Sequence, residues 1–220
     1  MTLQSKLDAL KHEFETKKAP PAVVEALHRA VNDLIASGAE EKALKIGDTA
    51  PTFSLPNPTG ELVSSAELLA KGPLVVSFYR GVWCPYCNLD LQALEEARKA
   101  IEARGATLVA ISQQTAANSR KSQRENNVEF AILGDKGGVV AEKFGVRWTL
   151  PDYLQVIHKK VGADITVFND ENSWTLPMPA RFVISQNGII EYAEVNADYT
   201  QRPEPSEVFS VLDRLQVAVK

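Results

Sequence analysis

Both cysteines of this 220-residue chain fall in one short motif, Cys84-Pro85-Tyr86-Cys87. Two thiols three residues apart can close a disulfide if a helix puts them on one face. A thiol that loses its proton easily, with a neighbour able to close the ring, is a redox-active pair. Zinc is the competing reading, but a zinc site normally takes four Cys or His ligands. Only His12, His28 and His158 are available, scattered along the chain, and the spacing predicts His158 as a solvated helix histidine.

The flanking residues must position the pair. Leu74 to Tyr79 is an apolar, β-branched and aromatic run, which predicts a buried strand of a parallel sheet. Arg80 to Trp83 reads as a turn. From Asn88 to Arg104 a helix is predicted, with Leu89, Leu91, Leu94, Ala97 and Ile101 along one stripe. Pro85 suits a first helical turn, which needs no backbone N–H there. A helix N-terminus favours a thiolate through its free N–H groups and partial positive charge. Cys84 is therefore expected at the helix start, partly exposed, as the nucleophile. Arg80 should supply cationic help, Trp83 should pack beside Cys84 and shield it, and Cys87 should resolve.

Residues 1–45 differ from the rest. Leu3, Leu7, Leu10 and Phe14 form one apolar helical stripe, and Val24, Leu27, Val31 and Leu34 form a second, with Gly38 as the stop. Such stripes must be buried, either on the main domain or between two copies in a homodimer. Residues 46–220 read as one α/β domain with a mixed central sheet flanked by helices. Its further strands are expected at 106–112 and 129–133. A hairpin over 180–185 and 189–195 turns at Gln186-Asn187-Gly188, and a closing helix runs over 206–217. Thr149 to Asp152 resembles a capping box for a helix through Lys160, and Asp164 to Trp174 reads as a polar loop.

A formal net charge of −4 and the lack of a basic, aromatic-laced cluster argue against nucleic-acid binding. No apolar window reaches a membrane-spanning length, and the N-terminus lacks the apolar core of a signal peptide. Two cysteines without such a signal point to a reducing compartment, the cytoplasm, and to catalysis rather than a structural staple.

Gly47-Asp48-x-Ala50-Pro51-x-Phe53-x-Leu55, followed by a strand ending in a redox cysteine, resembles the alkyl hydroperoxide reductase/thiol-specific antioxidant family, the peroxiredoxins. A peroxiredoxin-like branch is marked by Arg80-Gly81-x-Trp83-Cys84-Pro85-Tyr86-Cys87, by Trp174-x-Leu176-Pro177-x-Pro179-Ala180 and by Asp198-Tyr199-Thr200. The resemblance covers residues 46–220 and implies a thioredoxin fold. It implies a thiol peroxidase in which Cys84 attacks hydrogen peroxide or an alkyl hydroperoxide and Cys87 resolves. A thioredoxin-, glutaredoxin- or glutathione-linked thiol would restore the dithiol, and no metal or organic cofactor is needed.

The family pattern has a Thr or Ser three residues before the attacking cysteine and a Pro four residues earlier still. Counting from Cys84 gives Gly81 and Ser77, and counting from Cys87 gives Cys84 and Arg80. The motif Cys-Pro-Tyr-Cys is instead shared with glutaredoxins, and Met178-Pro179-Ala180 resembles the cis-proline strand of thioredoxins. On that likeness Pro179 is expected in a cis peptide beside the thiols, with Arg181 on the same strand face. Two alternatives to the peroxidase stay open: a thiol–disulfide oxidoreductase acting on protein or small-molecule disulfides, and a redox-sensing interaction protein.

Overall fold

Strand β3 (Leu74–Phe78) runs where the apolar, β-branched stretch lies, and all of its residues are buried. Its alternate residues, with Tyr79 just past its end, feed two separate cores, Val75 and Tyr79 on one face of a sheet, Leu74, Val76 and Phe78 on the other. A computed structural model describes the chain from Thr2 to Ala218. In chain order the elements are helices α1 (Leu3–Glu13) and α2 (Pro21–Ala36), the short strands β1 (Ser54–Pro56) and β2 (Leu62–Ser64), helix α3 (Ser65–Leu69) and β3 (Leu74–Phe78). Then come α4 (Pro85–Glu102), β4 (Thr107–Ser112), α5 (Ala116–Asn126), β5 (Ala131–Gly134), α6 (Val139–Lys143), β6 (Arg147–Thr149), α7 (Asp152–Lys160) and α8 (Ile165–Asn169). The chain closes with β7 (Thr175–Pro177), β8 (Ala180–Ile184), β9 (Ile190–Val195) and α9 (Glu207–Ala218).

The main sheet has the order β5-β4-β3-β8-β9. Strands β3, β4 and β5 are parallel, and β8 and β9 join antiparallel. The predicted hairpin is present, with Gly188 N–H donating to Ser185 O at 2.8 Å across its turn. Helices α4 and α9 cover one face through Leu91, Leu94, Ile101, Val208 and Leu212. The other face packs under Phe144 and Val146, with Phe78, Phe144 and Phe182 clustered ring to ring.

Two expectations between β6 and β7 change. Thr149 pairs with Thr175 in the β6–β7 ladder, so the helix after it begins at Asp152 without a side-chain cap. The presumed loop after Asp164 holds α8 instead, because the Asp164 carboxylate accepts from Thr166 N–H at 3.1 Å and caps it.

The N-terminal helices are part of this body. Leu3 and Leu7 of α1 are fully buried in the same core as α4, and Ala30 of α2 packs with Leu150, Leu154 and Ile165. The connecting segment lies tight on the domain: Leu44 N–H donates to Phe144 O at 3.1 Å, and a Cβ on Gly145 would meet Lys42 O at 2.2 Å. The apolar stripe of α1 is thus covered within one chain. Leu7→Ala should cost about 2–5 kcal/mol in chemical denaturation, the range for emptying a filled core site. An unchanged midpoint would mean that α1 adds nothing to the core.

Candidate active site

Strand β3 and helix α4 bracket the loop Arg80–Trp83, and side-chain hydrogen bonds from both sides hold it. Gln114, just past β4, accepts from Val82 N–H through Oε1 at 2.9 Å, while its Nε2 donates to Tyr79 OH at 2.6 Å. Asn88 Nδ2 donates to Val82 O at 2.9 Å. Gly81 has φ +148°, and a Cβ there would stand 2.6 Å from the Trp83 indole nitrogen. The position three residues before Cys84 is therefore filled by the indole, and no hydroxyl-bearing side chain fits. Here the departure from the family pattern has a steric cause.

Helix α4 starts at Pro85, the expected first-turn proline, with Cys84 as its N-cap. The Cys84 Sγ accepts from Cys87 N–H at 3.4 Å. Both cysteines are free thiols. The expected partial exposure of Cys84 is absent: it is 1 % exposed and Cys87 is 0 %. Cys84 nevertheless borders a cavity of about 130 Å³, whose wall Cys87 does not reach.

The electrostatics of the pair are unequal. Burial pushes the Cys84 thiol well up, and its hydrogen bond and charge coupling to Cys87 push it further, against help from Arg80 and Arg202. Burial also works against Cys87, but a hydrogen bond from Cys84 and the guanidinium groups of Arg202 and Arg80 outweigh it, taking this thiol down to about 6. Arg202 Nη2 donates to Cys87 Sγ at 3.2 Å. The Arg202 contact therefore favours the negative charge on Cys87 over Cys84. This inverts the expectation that the helix start would lower Cys84 first.

Arg202 is held in turn. Its Nε lies 3.5 Å from Asp90 Oδ2, and its Nη1 donates to the carbonyls of Tyr199 and Gln201 at 2.7 and 2.6 Å. Asp90 is three residues past Cys87 and so on the same face of α4. Its other oxygen accepts from Arg181 Nη2 at 2.6 Å, and Arg181 Nη1 donates to Pro203 O at 2.9 Å. Arg181 is 1 % exposed and serves the site through Asp90.

Arg80 and Trp83 stand beside the pair. The Arg80 guanidinium lies between the rings of Trp83 and Tyr199, at 4.8 and 4.3 Å from their centroids. His158, expected in solvent, is buried with its ring edge-on to Trp83 at 5.2 Å. Its Nδ1 bonds Ala163 O at 3.1 Å, and because a carbonyl only accepts, this nitrogen carries the proton. Burial, assisted by the Arg80 charge, takes His158 down to about 4, so it is neutral near pH 7.

Pro179 does not play its expected part. No cis peptide bond occurs among the described residues, so Met178–Pro179 is trans. The strand neighbours explain it: Met178 N–H donates to Val146 O at 2.7 Å and Pro179 O accepts from Asn196 N–H at 3.0 Å, bonds of an ordinary extended run. The main support for a disulfide-binding groove is gone. Sequence reading also missed Asp90 and Arg202. A carboxylate on the buried face of α4 and an arginine just past Asp198-Tyr199-Thr200 were the available signals.

The AhpC/TSA family model matches residues 46–193. The chain belongs to the AhpC/TSA family. Among its relatives, Peroxiredoxin Q, chloroplastic, of Oryza sativa subsp. japonica is 25 % identical over 169 residues, 77 % of this chain and 67 % of the relative. Peroxiredoxin Bcp of Escherichia coli K12 is 30 % identical over 103 residues, 47 % of this chain and 65 % of the relative. The crystal structure of Peroxidoxin BcpB from Mycobacterium tuberculosis covers 80 % of this chain and 99 % of its own, with a TM-score of 0.61 at 22 % identity. These neighbours share the thioredoxin-type sheet and its flanking helices.

Two outcomes test this AhpC/TSA site. Arg202→Met should raise the pH midpoint of thiolate formation by about 1–3 units, followed by ultraviolet thiolate absorbance, since it removes the closest positive charge. The second concerns stability. Folded His158 takes up a proton only near pH 4, whereas the unfolded chain does so near the ordinary value of 6.5. Lowering the pH through that window therefore favours unfolding, by roughly 3 kcal/mol at about 1.4 kcal/mol per unit. His158→Gln should lack this part of the acid destabilisation when both proteins are denatured across the same pH series.

Proposed function

We propose that this thiol-dependent peroxidase meets its peroxide with Cys84 and closes a Cys84–Cys87 disulfide with Cys87. The observation that carries the assignment is the cavity: Cys84 borders it and Cys87 lies behind. In the resting dithiol Cys84 carries the shared proton and Cys87 the charge. As Cys84 attacks, its proton passes along the hydrogen bond toward Cys87, so the buried thiolate works as the base for its neighbour. A sulfur–oxygen bond forms at Cys84, the O–O bond breaks, and the departing oxygen takes up the proton as alcohol or water. Cys87, again a thiolate, then attacks the sulfenic sulfur and expels hydroxide.

An external dithiol of thioredoxin or glutaredoxin type is the reductant this cycle calls for, because both electrons have gone to the peroxide and the pair is left as a disulfide that only a thiol can reopen. The reducing cytoplasm is the compartment that would keep such a pair reduced between turnovers. Among the described residues no helix is long and apolar enough to cross a membrane.

One observation favours exchanged roles. Cys87 holds the charge, and Cys84 sits three residues before it, where the family pattern has its hydroxyl. Single-turnover oxidation with a sulfenate-trapping reagent and peptide mapping separates the two. Cys87→Ser should accumulate sulfenate at Cys84, with its pH midpoint moved upward for lack of the internal base. Cys84→Ser should react far more slowly. Rapid sulfenate formation at Cys87 in Cys84→Ser would exchange the roles.

A further inference from the structure

The cavity above Cys84 has walls from two sources. Leu10, Phe14 and Leu27 come from α1, α2 and the turn between them, and so from outside the segment that the family model matches. The domain contributes Arg80 and His158, each with an unused hydrogen-bonding capacity. Arg80 is 5 % exposed, and among the described residues its side chain has neither a hydrogen-bond acceptor nor a carboxylate partner; its Nε is wholly buried. Two ring faces hold its charge but leave its N–H groups without an acceptor, and buried donors left unpaired are costly, which makes it a site for an incoming acceptor. His158 spends its one proton on Ala163, so Nε2 remains a pure acceptor.

We infer that Arg80 and His158 form a two-point clamp for the –O–O–H group of an organic hydroperoxide, held beside Cys84, while Leu10, Phe14 and Leu27 select its apolar body. This rests on the peroxidase reading above. The chemistry of the walls chooses the ligand. A carboxylate would satisfy Arg80 but offers His158 no proton. A hydroperoxide does both, its O–H donating to His158 Nε2 and its inner oxygen accepting from Arg80. When Cys84 takes the terminal oxygen, the O–O electron pair moves onto the inner oxygen, and the Arg80 charge faces the alkoxide as it forms. The proton released by Cys84 completes the alcohol, so sulfur is oxidised by two electrons and the peroxide bond is reduced. The clamp would do at Cys84 the orienting that Gly81 leaves undone.

The test is single-turnover oxidation by cumene hydroperoxide and by hydrogen peroxide, with each rate divided by the thiolate fraction measured at the same pH. Arg80→Met should lose about 10- to 100-fold per thiolate, as expected for removing a hydrogen bond to a charged group. His158→Leu should lose several-fold, with most of it restored in His158→Gln, which keeps an acceptor. Leu27→Trp fills the cavity and should slow cumene hydroperoxide while sparing hydrogen peroxide. If Arg80→Met and His158→Leu move only the thiolate titration and leave rates per thiolate unchanged, the clamp is wrong and the peroxidase stands. Equal slowing of both peroxides by Leu27→Trp would overturn the selective role of the N-terminal wall. If the unmodified protein forms no Cys84–Cys87 disulfide with either oxidant, the peroxidase reading itself fails.

Discussion

A thiolate can persist without water only if fixed positive charge stands against it, and the Arg202 contact with Cys87 supplies that charge. The contact is itself possible only because Arg202 is shared with Asp90 and two backbone carbonyls, and Asp90 in turn with Arg181. Buried ions cost several kcal/mol each unless paired and hydrogen-bonded. With Cys87 as thiolate, two guanidinium groups face one carboxylate and one sulfur. The group spans α4, β8 and the segment before α9, so three parts of the chain must be in place together. This ties the chemistry of one sulfur to the closure of the whole sheet.

The same burial explains why the two cysteines differ. The helix N-terminus acts on Cys84, which caps it, but partial charges from a few N–H groups are weaker than whole charges at hydrogen-bond distance. Cys87, one turn further in, meets both Arg202 and the Cys84 thiol. Position on the helix alone would rank the two the other way.

The N-terminal helices do more than cover an apolar stripe. By burying Leu3 and Leu7 against α4, they bring Leu10 and Phe14 over the mouth of the thiol loop. A segment outside the matched family region thereby makes part of the wall of the cavity that Cys84 borders.

Local information sufficed for the strand–turn–helix around the thiols. The apolar run of β3, the stripe of α4, Pro85 and the spacing of Cys84 and Cys87 are all set by neighbours in sequence, as is the β8–β9 hairpin with its Asn187-Gly188 turn. These choices obey short-range rules of period, propensity and turn geometry. What lay beyond them depended on contacts across long stretches of chain. Arg202 is 115 residues from the sulfur it serves. His158 is buried against Trp83, 75 residues away in the chain, and Pro179 is trans where strand neighbours hold its peptide extended. Which sulfur carries the charge was decided by tertiary structure, since an ion's energy depends on the distance to its partners in space and on the exclusion of water, and neither is written in sequence spacing.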